Sequence, residues 1–154
     1  MYKVFQYEKQ IFKQFITLRH KTITMRHAQL IISRSKLYHN YNFFRSKLRP
    51  ETKMLVLVKA NGYGSGDTEV AMLCEEFGAD YFGVAHPNEG IKLKMSGIQK
   101  PVIVLTPGFG YFGEIIDNGL EPSIINSEAA YEMVSELAKR GISQYPVHIK
   151  LDTG

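Results

Sequence analysis

The residues with the clearest chemical potential lie together. Four apolar residues, Leu55-Val56-Leu57-Val58, end in Lys59, and the glycine-rich stretch Ala60-Asn61-Gly62-Tyr63-Gly64-Ser65-Gly66 follows at once. A short apolar run before a turn signal reads as a strand buried on both faces. An amine at the end of such a strand must reach water, a partner or a chemical task. The glycines let the backbone turn tightly and approach a ligand. One chemistry that fits is a Schiff base between the Lys59 amine and a carbonyl compound, with a phosphate cradled nearby and met by the Tyr63 hydroxyl. The alternative is a lysine that snorkels to solvent at an ordinary strand–helix turn. A P-loop is excluded, because the lysine precedes the glycines and no Gly-Lys-Ser/Thr follows.

Two other segments carry chemistry. Gly108-Phe109-Gly110-Tyr111-Phe112-Gly113 is a literal G-x-G-x-x-G, the pattern of a dinucleotide-binding turn. Pro107 and two bulky aromatics crowd it, so an aromatic-rich loop competes with the nucleotide reading. Near the end, His148-Ile149-Lys150-Leu151-Asp152-Thr153-Gly154 alternates, which sends Lys150 and Asp152 to the same side of a strand, either as a structural pair or at a site. The five histidines (His20, His27, His39, His86 and His148) show no metal-ligand spacing. A lone Cys74 excludes an internal disulfide and a cysteine-rich metal site, and cytoplasm is the default compartment.

The elements that must position these groups follow a regular rhythm after Pro50. Strands are predicted over 54–58, 81–85, 102–105, 123–125 and 147–151. Helices lie between them, over 67–77 with Asp67 as cap, 87–95, 112–118, and 127–139 with Ser127 as cap. Repeated strand–helix units mean a parallel sheet, either an open doubly wound one or part of a barrel. Upstream, apolar residues at helical spacing predict a helix over 35–48, stopped by Arg49-Pro50. Short strands fit 22–25 and 30–32, and residues 1–20 read as an amphipathic helix or a connector.

At 154 residues, with 44% hydrophobic and 22% charged residues, the chain suits one soluble globular domain. No apolar run is long enough to span a membrane. The net charge of +4 hides an asymmetry. Of nineteen Lys/Arg and fifteen acids, residues 1–50 hold eleven of the bases and one acid, Glu8. The bases are interleaved with aromatics and aliphatics rather than forming a block, which argues against a nucleic-acid arm.

The run Val58-Lys59-Ala60-Asn61-Gly62-Tyr63-Gly64-Ser65-Gly66 closely resembles the pyridoxal-phosphate signature of alanine racemases, usually V-K-A-N-A-Y-G-H-G. The resemblance continues through Gly78-Ala79-Asp80-Tyr81-Phe82-Gly83-Val84-Ala85 with Glu89 after it, then Gly97-Ile98 and Pro101-Val102-Ile103-Val104-Leu105. It ends in His148-Ile149-Lys150-Leu151-Asp152-Thr153-Gly154, covering roughly residues 35–154. Gly62 and Ser65 depart from the usual Ala and His, at positions without a catalytic role in the family.

The resemblance implies a (β/α)8 TIM-type barrel followed by a β-rich domain, of which this chain would hold about five of eight strands and no β-domain. It divides the chain into a basic tail or linker over 1–20 and an incomplete barrel domain over 21–154. It implies interconversion of L-alanine and D-alanine, with D-alanine serving peptidoglycan, by a cytoplasmic homodimer that binds neither membrane nor nucleic acid. Lys59 would hold pyridoxal 5'-phosphate and act as the base on one face of the substrate, Tyr63 would bind the phosphate, and Lys150 matches a lysine that is often carbamylated. The second base, a tyrosine of the partner subunit in the family, has no counterpart here, so a truncated chain inactive by itself is expected. Competing readings are a non-catalytic pyridoxal-phosphate-binding protein on a related barrel and a regulatory remnant without cofactor. Residues 4–8 through 20–22 also look similar to the junction with the muramoyl-tripeptide D-Ala-D-Ala ligase found upstream of some racemases.

Overall fold

The computed structural model describes residues 2–6, 29–151 and 153, which fall in two compact units, 1–47 and 48–154. The tail, the 22–25 strand and the ligase-junction reading lie largely or wholly outside the described residues.

In the first unit, β1 (Tyr2–Gln6) pairs in parallel with β2 (Gln29–Ser33), Val4 opposite Ile31. Residues 2–6 are therefore strand, not the amphipathic helix or connector that their mixed basic and apolar pattern suggested; the β2 ladder takes up their backbone groups. Helix α1 (Arg34–Arg45) follows directly, with Ser33 as N-cap accepting from the Lys36 N–H.

The second unit is an α/β fold. Its sheet runs β3 (Leu55–Leu57), β4 (Tyr81–Val84), β5 (Val102–Val104), β6 (Glu121–Ile124) and β7 (His148–Ile149), all parallel and in sequence order. The connections carry α2 (Lys59–Tyr63), α3 (Asp67–Glu76), α4 (Pro87–Met95), α5 (Phe112–Asp117) and α6 (Ser127–Lys139). Uninterrupted order without a switch of direction is the progression of a barrel wall rather than of a doubly wound sheet. Here the wall is open: β3 and β7 are its two edges, and the sheet does not close on itself.

The core lies between the sheet and its helices. Phe82, Val84, Val102, Val104 and Leu120 of the sheet region are fully buried, as are Leu73 of α3, Leu93 of α4 and Ile115 of α5. Burial of each such side chain contributes roughly 1.5–3 kcal/mol. The edges differ. Leu55 and Leu57 are about two-fifths exposed, and Ile149 and Leu151 more so. The expectation that 55–58 is covered on both faces thus holds only for Val58. An edge strand of an open sheet has a neighbour on one side only. Leu57 lies over Gly83 instead, where a Cβ would meet its Cδ2 at 2.5 Å.

Two caps also shift. Gly66 rather than Asp67 precedes α3, and Asn126 rather than Ser127 caps α6, its Oδ1 accepting from the Ala129 N–H at 2.9 Å. An amide carbonyl outcompetes the next residue's hydroxyl because its backbone is extended, as an N-cap requires.

Candidate functional site

Lys59 stands where β3 ends, at the C-terminal edge of the parallel sheet, the end at which such folds place their ligands. The strand is aligned by the Val58 N–H donating to the Gly83 carbonyl at 2.9 Å. Beyond Lys59 the chain does something the residue types did not announce. Ala60 (φ 51°, ψ 50°), Asn61 (55°, 43°) and Gly62 (60°, 42°) wind left-handed, and Tyr63 (φ 52°) continues them. Only Gly62 adopts that region freely; each L-residue with a Cβ costs roughly 1–2 kcal/mol there. The surroundings must offset this strain, and the hydrogen bonds show how. The Gly62 N–H donates to Val58 O, the Gly64 N–H to Ala60 O, the Ser65 N–H to Gly62 O and the Gly66 N–H to Asn61 O, all within 3.2 Å. The Ala60 N–H donates to Glu89 Oε1 at 2.8 Å.

The turn is then fixed to α3. A Cβ on Gly62 would stand 3.1 Å from the Asp67 backbone nitrogen, so the turn packs tightly against the start of that helix. Asp67 is almost wholly buried, and its Oδ1 accepts from the Thr68 N–H at 2.7 Å and from Lys92 Nζ at 2.6 Å. Burial alone would raise its carboxyl, but those hydrogen bonds and the Lys92 charge outweigh burial and hold it below the ordinary carboxylate value. Above Gly64, by contrast, a Cβ would meet nothing within 4 Å.

Of the residues singled out by type, Lys59 is half-buried and Tyr63 lies exposed at the end of the same turn. Lys150 follows β7, its N–H donating to Ile124 O at 3.0 Å and its side chain exposed. The strand order sets Lys59 and Lys150 at opposite edges of the sheet, one beyond β3 and the other beyond β7. Asp152 lies outside the described residues. His148, the other polar residue of that segment, turns to Glu121 on β6, Nε2 to Oε2 at 2.7 Å. Among the described residues no three His, Cys, Asp or Glu side chains are placed to hold a metal ion.

The G-x-G-x-x-G segment is occupied by the protein's own groups. The Gly110 N–H donates to Glu132 Oε1 at 2.7 Å, a negative charge where a phosphate would have to sit, and a Cβ on Gly113 would collide with Arg140 Nη2 at 2.9 Å. It is an aromatic-rich loop with Phe109 and Tyr111 exposed. The reading by residue type gave no role to Glu89 or to the Asp67–Lys92 pair. For Glu89 the available signal was its place three residues after His86, with Pro87 at the first helical position, the spacing of a capping box.

An amine and a phenol on one turn, with open space beside Gly64, are compatible with a carbonyl-bearing phosphate cofactor. The fold defines a partial α/β barrel wall with a lysine at the C-terminal end of its first strand. Comparison with known proteins then specifies the family. Residues 32–154 match the model described as "Alanine racemase, N-terminal domain", and the chain belongs to that family. It is 36% identical over 130 residues to an alanine racemase of Synechocystis sp., covering 82% of this chain and 34% of that protein. It is 32% identical over 145 residues to a serine/alanine racemase of Enterococcus gallinarum, 88% of this chain and 19% of that protein. Among solved structures it superimposes on alanine racemase of Clostridium difficile 630 in complex with cycloserine, with TM-score 0.72 and 30% identity, covering 78% of this chain and 32% of that one. The enzyme from E. faecalis gives TM-score 0.72 at 30% identity over 79% of this chain and 33% of that one. The chain thus spans about a third of the length of most of these relatives. Among the described residues no helix is long and apolar enough to cross a membrane.

Proposed function

We propose that this chain is the cofactor-holding portion of an enzyme that interconverts L-alanine and D-alanine, with Lys59 as the residue that holds pyridoxal 5'-phosphate. The observation that carries the reading is the half-buried Lys59 at the C-terminal end of β3, held at the start of a left-handed turn in a chain of this family. When bound, the cofactor supplies an electron sink that delocalises negative charge at the α-carbon of an amino acid. Lys59 would anchor it and, as a free neutral amine, would take or return the α-proton on one face. Tyr63 would offer its exposed hydroxyl to the phosphate. Inversion needs a proton donor on the opposite face, and we assign it to a tyrosine of a partner subunit, as the family resemblance implies. By the same resemblance the working form is a homodimer of the full-length enzyme. Lys150 is read as a carbamylated lysine, which would put an anion in place of a cation at the edge of the site. A cytoplasmic setting and a supply of D-alanine for peptidoglycan complete the proposal.

Titration of the purified chain with pyridoxal 5'-phosphate tests it. A visible absorbance band that borohydride removes, lost in Lys59→Ala, is the expected result. A band that survives Lys59→Ala would move the cofactor to another lysine and overturn the assignment.

A further inference from the structure

We infer that Glu89 is a positioning residue for Lys59, acting through the backbone of the left-handed turn. This rests on the reading of Lys59 as the cofactor-holding amine.

Glu89 spends both carboxylate oxygens on backbone amides. Oε2 accepts from the Ala85 N–H at 2.7 Å and the His86 N–H at 3.1 Å, closing the loop after β4. Oε1 accepts at 2.8 Å from the Ala60 N–H, twenty-nine residues earlier in the chain. One side chain therefore joins the C-terminal ends of two neighbouring strands, at the peptide unit that connects Lys59 to Ala60. Ala60 is exposed and left-handed. If water took its amide instead, the turn would be free to relax toward an ordinary conformation, and the Lys59 side chain would swing with the peptide plane. The carboxylate sits in the first turn of α4, where the helix dipole favours negative charge. Its three donors are all N–H groups, so a charged acceptor suits the position and a carboxamide does not. Glutamine has one acceptor oxygen, and its NH2 would face an N–H on the other side.

The test uses the whole chain and two readouts: hydrogen exchange of the Ala60 amide, and the rate at which pyridoxal 5'-phosphate forms a borohydride-reducible adduct at Lys59. In the unmodified chain the Ala60 amide should be protected like the Val58 and Phe82 amides of the sheet, although Ala60 is exposed; an unprotected amide overturns the inference, whatever any variant does. In Glu89→Gln, Ala60 exchange should rise about tenfold to hundredfold, the change expected when one charge-assisted hydrogen bond is lost. The Lys59 adduct should form at least about tenfold more slowly by the same bond, while Val58 and Phe82 keep their protection. Faster Ala60 exchange with an unchanged adduct rate would contradict the positioning role. An unmodified chain that forms no adduct at Lys59 contradicts the cofactor reading itself, whereas adduct formed equally fast by both proteins contradicts only the role of Glu89.

Discussion

Lys92 Nζ stands 2.6 Å from Asp67 Oδ1, tying α4 to the first residue of α3, the helix that begins where the left-handed turn ends. Asp67 is buried and Lys92 half-exposed. The pair sits between the two helices that fix the turn, Asp67 packing against Gly62 and α4 carrying Glu89. Support for Lys59 thus comes from two successive strand–helix units rather than from β3 alone.

Replacing Lys92 with Met leaves a buried carboxylate with the Thr68 amide and hydroxyl as its remaining partners. The expected loss is about 1–3 kcal/mol, limited by the solvent that reaches the Lys92 side. Because Asp67 is held below its ordinary value in the fold, its contribution is present above the unfolded value of about 3.9 and is lost as pH falls through the lower folded one. Urea midpoints at pH 7 and pH 3 should therefore fall further for the unmodified chain than for Asp67→Asn. Equal falls would show that the pair does not govern acid stability.

Gly90→Ala sets helix propensity against packing. Glycine inside a helix is ordinarily worse than alanine by about 0.5–1 kcal/mol. Here a Cβ would stand 3.0 and 3.1 Å from the Leu120 methyls and 3.4 Å from Val102 Cγ1, and both neighbours are fully buried with little room to yield. Overpacking of about 1–3 kcal/mol should win, lowering the denaturation midpoint. A rise would mean that Leu120 can shift.

Tyr145 donates its hydroxyl to Leu120 O at 2.8 Å, joining the segment before β7 to the start of β6. Burial first, then the negative charges of Glu121 and Asp117, push its phenol up to about 12. The neutral phenol is favoured by the fold, so its contribution is complete below the unfolded value of about 10 and is lost as pH climbs through the folded one. Tyr145→Phe should cost about 1 kcal/mol at pH 7 and should flatten the alkaline loss of stability above pH ~10. An unchanged alkaline profile would place that loss elsewhere.

Ala60→Gly reverses the usual sign. At φ 51° alanine carries a left-handed cost of roughly 1–2 kcal/mol that glycine escapes, while glycine adds about 0.4–1 kcal/mol of unfolded-chain entropy. The variant should be as stable as the unmodified chain or up to about 1.6 kcal/mol more so. A clear destabilisation in thermal unfolding would argue that Ala60 is not left-handed in solution.

Much of the second unit was legible from residue pattern because local signals and tertiary fold agree there. Helix α4 runs over 87–95 as Pro87 and Gly97 predict, and β4 and β5 end within a residue of their apolar runs. Strand β6 begins earlier than expected because it includes Pro122, a residue that argues against a central strand yet is fully buried here. β1 was misread because basic residues among apolar ones look amphipathic at either period, and its partner β2 lies over twenty residues away. Residue types single out Lys59, Tyr63 and Lys150 as candidates; the fold sets the first two on one turn and Lys150 beyond the opposite edge strand. The winding of the turn was hidden, since two of its first three residues are not glycine, and so was the long-range Ala60–Glu89 bond that supports it. Contacts between residues far apart in sequence leave no local periodicity to read.

Mass-spectrometric peptide mapping after borohydride reduction shows directly whether Lys59 is the amine that takes pyridoxal 5'-phosphate. At cofactor concentrations near that of the protein, the label should fall on the peptide containing Lys59 and vanish in Lys59→Ala. A label spread over exposed lysines, or unchanged in Lys59→Ala, would rule out Lys59 as that amine.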